Sequence, residues 1–161
     1  MIKRIIKNIV NIVTYGCAAI TVLLIILSLI GIRPYITISG SMEPNIKTGS
    51  VCFVNYGANY EDVEVDDVIA FKAGNTLVTH RVLNFTENGI ETKGDNNEDP
   101  DSIITNKNNF VGQTLCSIPY AGYAIMFFKT PIGLSIITAI LFLLIFANVK
   151  DCSKKSKTTP T

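Results

Sequence analysis

The chain has 161 residues, a single histidine, no tryptophan, a formal net charge of +1 and a hydrophobic fraction of 48%. That length allows one compact domain, but the hydrophobic content must be located before any core is assumed. The apolar residues are gathered into two blocks, one near each end, so they argue for membrane segments before they argue for a core.

From the N-terminus, Lys3, Arg4 and Lys7 precede an uncharged run of 25 residues, Asn8 to Ile32. A helix rising about 1.5 Å per residue needs about 20 apolar residues to cross a hydrocarbon layer about 30 Å thick. The run therefore predicts a transmembrane helix over 9–32, with 1–8 on the cytoplasmic side. A cleavable signal peptide is the rival, but its apolar region spans only about 7 to 15 residues.

The segment 33–131 carries seven basic against twelve acidic residues, a net charge of the wrong sign for a nucleic-acid partner. It contains short runs of alternating or β-branched residues at Ser50 to Asn55, Val68 to Phe71, Leu77 to Phe85, Ile90 to Lys93 and Phe110 to Leu115. Turn-forming clusters separate them: Lys47-Thr48-Gly49, Ala73-Gly74-Asn75, Glu87-Asn88-Gly89 and the polar stretch from Gly94 to Asn109. Strands with such punctuation and no sustained helical period predict an antiparallel β domain.

A second uncharged run, Thr130 to Val149, is 20 residues long and predicts a second transmembrane helix over 132–149. A core helix is the alternative, yet the chain between the two runs offers little domain in which to wrap a helix apolar on every face. Lys150, Lys154, Lys155 and Lys157 then mark 150–161 as a cytoplasmic tail, polar and expected to be disordered. With basic residues outside both spans, both termini are expected in the cytoplasm and the β domain outside the cell membrane.

The four cysteines have no metal-ligand spacing. Cys17 falls in the first span and Cys152 in the tail, leaving Cys52 and Cys116 in the outer compartment. Each of those two sits in an apolar stretch, where a small buried thiol is expected in preference to a disulfide.

Directly after the first span comes Ser39-Gly40-Ser41-Met42-Glu43-Pro44. Gly40 would let backbone and substrate approach closely, a setting that suits Ser41 as a nucleophile provided a base is near. His80, in Leu77-Val78-Thr79-His80-Arg81-Val82-Leu83, is the one imidazole available to activate a serine, and a strand would hold it rigidly. The cluster Lys93-Gly94-Asp95-Asn96-Asn97-Glu98-Asp99-Pro100-Asp101 supplies carboxylates that could orient that imidazole. The cluster lacks the spacing of a calcium-binding loop, and neither metal nor cofactor is expected.

In order and spacing, Ser39-Gly40-Ser41-Met42-Glu43-Pro44, Thr79-His80-Arg81-Val82 and Lys93-Gly94-Asp95-Asn96-Asn97 resemble the successive signature boxes of type I signal peptidases. The histidine, where the common eubacterial branch has lysine, makes the chain similar to the endoplasmic-reticulum-type branch of eukaryotes, archaea and some Gram-positive bacteria. Abundant Ile, Asn and Lys favour a Gram-positive source. The resemblance covers roughly Ser39 to Tyr123 and implies a curled antiparallel β domain with a groove that takes substrate as an added strand.

It further implies that Ser41 attacks the scissile carbonyl, that His80 takes its proton and that Ser39 lends its hydroxyl to the oxyanion hole. Asp101 is implied to complete the triad, with Asp99 as competitor and Asp95 supporting the site. One departure is Asp66, at a position where the family usually has glycine, so the turn before Val68 is expected to differ locally. The implied substrates are exported pre-proteins cut after Ala-x-Ala-like sites at the bilayer surface, with possible contact to the secretion machinery. The competing functions are a noncatalytic membrane-anchored binding domain and a self-cleaving repressor-type protease, which normally pairs serine with lysine.

Overall fold

The computed structural model describes residues 2–140 and 142. Its first helix, α1 (Ile2–Leu29), includes a 22-residue stretch, Asn8–Leu29, with a mean hydropathy of 2.4 and no part buried by the rest of the chain. That stretch is about 33 Å long, enough for one bilayer crossing. The hydroxyls of Thr14 and Thr21 donate back to the carbonyls of Val10 and Cys17 at 2.9 Å each, so these polar atoms find partners within the helix. Among the described residues α1 alone is long and apolar enough to cross a membrane as a single straight helix.

The helix stops at Leu29, short of the expected boundary at 32. Ile30 N donates to Ile26 O and Gly31 N to Ser28 O, and Gly31 takes the left-handed conformation (φ 87°) that glycine adopts without penalty at a helix end. Six strands follow: β1 (Ile32–Ile36), β2 (Val51–Asn55), β3 (Val68–Ala73), β4 (Thr76–Thr86), β5 (Gly89–Lys93) and β6 (Phe110–Ile118). They form one antiparallel sheet in the order β1-β2-β6-β3-β4-β5. The five strands expected from sequence are present. β1 is additional, and it escapes the sequence pattern because Pro34 interrupts it; an edge strand tolerates the missing N–H.

Two apolar clusters fill the interior. Ile69 and Phe71 of β3 pack with Val82 of β4, Ile90 of β5 and Val63, while Met42 and Ile46 from the β1–β2 connection pack with Cys52 of β2. Each such side chain contributes about 1.5 to 3 kcal/mol by leaving water. The second cluster thus pins the residue next to Ser41 into the core.

Cys52 and Cys116 are both free. Cys52 pairs in register with Ser117 and Cys116 with Phe53, so strand alternation sends the two thiols to opposite faces. Cys52 is buried as expected, whereas Cys116 is exposed.

Residues read from sequence as the end of the β domain instead form a helix, α2 (Ala121–Lys129). A second helical stretch, Pro131–Ile140, follows at 84° to it. Most of the second half of the expected span 132–149, and the tail 150–161, lie outside the described residues.

Candidate active site

His80 stands in the middle of β4, opposite Ile69 of β3, and is only 7% exposed. Its ring meets Phe71 edge-on at 6.2 Å, which limits rotation of the imidazole. On the next strand, Thr92 faces Val82 in register, so alternation brings His80 and Thr92 to the same buried face. Asp101 is delivered to that face by the loop after β5, where its backbone N–H donates to Thr92 O at 2.8 Å.

The polar atoms then form a chain. His80 Nε2 lies 2.9 Å from Ser41 Oγ, and His80 Nδ1 lies 2.6 Å from Asp101 Oδ2. The same Oδ2 accepts the Thr92 hydroxyl at 2.6 Å. An ionised carboxylate only accepts, so Nδ1 carries the proton, and the neutral ring is left with Nε2 as an acceptor facing the Ser41 hydroxyl. A serine hydroxyl held against the basic nitrogen of an oriented imidazole is an arrangement suited to acyl transfer.

The turn that presents Ser41 is fixed on several sides. Glu43 N donates to Gly40 O at 3.1 Å and Ile46 N to Met42 O at 2.8 Å. The Thr48 hydroxyl and backbone N–H both donate to Glu43 Oε1, which holds the Glu43 carboxyl below its ordinary value. Against the other side lies Gly94, where a Cβ would stand 2.6 Å from the Ser41 carbonyl oxygen. That close approach requires glycine, and it lets Asn96 N donate to Ser41 O at 2.8 Å.

Asp95 is placed elsewhere. Its Oδ1 accepts Arg81 Nε and its Oδ2 accepts Arg81 Nη2, each at 2.8 Å, and Oδ2 also accepts Asn45 Nδ2 at 2.8 Å. The Arg81 guanidinium, assisted by Asn45, holds the Asp95 carboxyl below its usual range. Arg81 uses Nη1 to reach Asp66 O at 2.8 Å. Asp66 has φ 74°, so the aspartate adopts the left-handed conformation that glycine would take at no cost.

Of the residues singled out by sequence, Ser41, His80 and Asp101 meet in one hydrogen-bonded chain, and Ser39 Oγ lies 3.2 Å from Ser41 Oγ on an exposed segment. Asp95 joins Arg81 instead of His80. Asp99 is exposed, and no hydrogen bond to its side chain is formed among the described residues. Thr92 and Asn45 escaped the sequence reading. For Thr92 a signal existed, because it shares the inward phase of β5 with Ile90, and a buried threonine needs a polar partner. Among the described residues no three His, Cys, Asp or Glu are placed to hold a metal.

No protein-family model matches the chain. Signal peptidase I W of Bacillus subtilis (strain 168) is 40% identical over 81 residues, covering 47% of this chain and 43% of that protein. The signal peptidase complex catalytic subunit SEC11 of Lodderomyces elongisporus is 32% identical over 102 residues, 55% of this chain and 60% of that one. That of Colletotrichum graminicola is 29% identical over 101 residues, 55% and 59% respectively. The chain is similar to signal peptidase catalytic subunits. It spans about half the length of the curated relatives it matches. The similarity to both a Bacillus signal peptidase and fungal complex subunits agrees with the endoplasmic-reticulum-type branch, and a Gram-positive source is compatible with it.

Proposed function

We propose that this chain is a membrane-bound serine endopeptidase that removes N-terminal signal peptides from exported pre-proteins. The observation that carries the reading is the unbroken contact from Ser41 Oγ through the His80 ring to Asp101, at 2.9 and 2.6 Å. The similarity to signal peptidase catalytic subunits supports that substrate class.

In this reading Ser41 Oγ attacks the scissile carbonyl while its proton passes to His80 Nε2. Asp101 stabilises the imidazolium that forms, and Thr92 holds the carboxylate in line. The Ser39 hydroxyl donates to the oxygen that gains charge. His80 then returns the proton to the leaving amine, and water releases the acyl group from Ser41 by the reverse steps. Asp95 holds the loop and takes no proton. Cleavage follows small residues in Ala-x-Ala-like sites. Both chain termini face the cytoplasm, a second span lies over 132–149, and the sheet faces outward, where contact with the secretion machinery is expected.

The test is cleavage in trans. The membrane-embedded chain is incubated with a set of pre-proteins, and the new N-termini are sequenced. Wild type should release mature proteins cut after a small residue, and Ser41→Ala should lose all but a trace of that activity, by a factor on the order of 10⁴ or more, with its fold intact. Processing retained by Ser41→Ala ends the proposal. Tags at the termini that are open to external protease, with Asn88 protected, would reverse the topology.

A further inference from the structure

α2 is apolar on every side. Tyr123, Ile125, Met126, Phe127 and Phe128 are each 41% to 50% exposed, and Gly122 is the one buried residue of the helix. A nine-residue helix of this kind has no place in water and is too short to cross a bilayer. From Ser102 to Lys150 the sequence holds no acidic residue, and α2 ends on Lys129. At its start Tyr120 and Tyr123 are stacked at 6.5 Å. Interfacial tyrosines, a basic residue and no acid suit an anionic lipid surface.

The corner after α2 is also built for such a place. Thr130 Oγ1 donates to Phe127 O at 2.7 Å and accepts Gly133 N at 3.1 Å, while Leu134 N donates to Thr130 O at 2.9 Å. Phe127 O, Gly133 N and Thr130 O at the bend are thus met within the chain, as a non-aqueous setting favours. The two helices stand at 84°. If Pro131–Ile140, whose uncharged sequence continues to Val149, runs with the usual tilt of about 20° from the membrane normal, α2 must lie close to the membrane plane.

At its other end α2 rests on the two ends of the β1–β2 connection, the segment that also carries the candidate nucleophile. Gly122 N donates to Gly49 O at 2.8 Å, Gly122 lies against Ile36, and the Tyr123 ring covers Gly49, whose own N–H bonds to Thr37 O. We propose that α2 is an interfacial helix lying flat in the lipid headgroup region, and that it sets the height of Ser41 above the bilayer. The second clause rests on the proposed peptidase function; the first does not.

Because the chain has no tryptophan, each of Ala124→Trp and Phe128→Trp creates a single depth probe. The full chain is reconstituted in phosphatidylcholine and phosphatidylglycerol vesicles carrying bromine near the headgroup or near the acyl-chain end. A flat α2 gives equal depths at both positions and about twofold stronger quenching by the shallow bromine. A depth step of about 6 Å between them, or no quenching, overturns the interfacial helix, whatever the enzyme does. Ile132→Trp and Ile136→Trp should show that step beyond the corner. For the height of Ser41, the double variant Phe127→Glu and Phe128→Glu should cut processing of a membrane-inserted pre-protein on the order of tenfold, with hydrolysis of a short soluble peptide unchanged. No loss, or equal loss on both substrates, overturns that link.

Discussion

Two aspartates six positions apart in one loop, Asp95 and Asp101, meet neighbouring residues of β4 on opposite faces of the sheet. Asp95 is held by Arg81 and Asp101 by His80. The hydrogen-bond distances are alike, 2.8 and 2.6 Å, so geometry alone does not separate them. The partner does. A guanidinium keeps its charge throughout the accessible pH range, which suits Asp95 to a fixed tie, whereas an imidazole can take and return a proton, which in the proposed mechanism makes Asp101 a participant. Two equally short contacts to a carboxylate thus differ according to whether the partner can exchange a proton.

The sharpest way to break this contrast is to remove charge without volume. Asp101→Asn should lower turnover on the order of 10⁴-fold, because the amide can present a donor to Nδ1 and favour the wrong tautomer. Its melting temperature should hardly change. Asp95→Asn should instead lose about 1.5 to 3 kcal/mol of stability by weakening the bonds to Arg81, with activity falling as the loop loosens and partly recovering on cooling. A dead but stable Asp95→Asn beside a fully active Asp101→Asn would exchange the two roles.

The contrast also has a pH signature. The Asp95 carboxyl is held below its ordinary value of 3.8 by Arg81, so its contribution is complete above that value and is lost as pH falls through the lower folded one. The melting-temperature gap between wild type and Asp95→Asn should therefore be constant near neutrality and close on acidification below pH about 4. A gap that persisted would show that the Arg81 contact does not carry the stabilisation.

Smaller effects refine the picture. Thr92→Val keeps shape but leaves the Asp101 carboxylate with one donor fewer, and turnover should fall about tenfold with little change in substrate affinity. Asp66→Gly relieves the left-handed strain while leaving the backbone oxygen that Arg81 binds. It should raise stability by about 0.5 to 1 kcal/mol at unchanged activity, as read by denaturant melts.

Much of this was legible in the sequence, for physical reasons specific to each residue. Alternation exposed β4 and, with it, the one histidine; the length of the uncharged run exposed α1. The pairing of His80 with Asp101 in preference to Asp99 or Asp95 came from family resemblance, since three carboxylates in one loop are equivalent until a strand register chooses among them. β1 was hidden by Pro34, and α2 by being apolar on all sides, which gives no period to read. Asp66 was expected to alter its turn. In the structure that residue takes the left-handed conformation that glycine favours, and an aspartate bears it.

The approach of Gly94 to Ser41 has one more consequence. Because Asn96 N–H donates to the Ser41 carbonyl, the exchange rate of that single amide proton reports how often the Ser41 turn lifts off the loop beside it. Asn96 is thereby an intrinsic gauge of the docked state, readable in resting protein with no substrate present, and sensitive to motions too slow and too rare to alter an average structure.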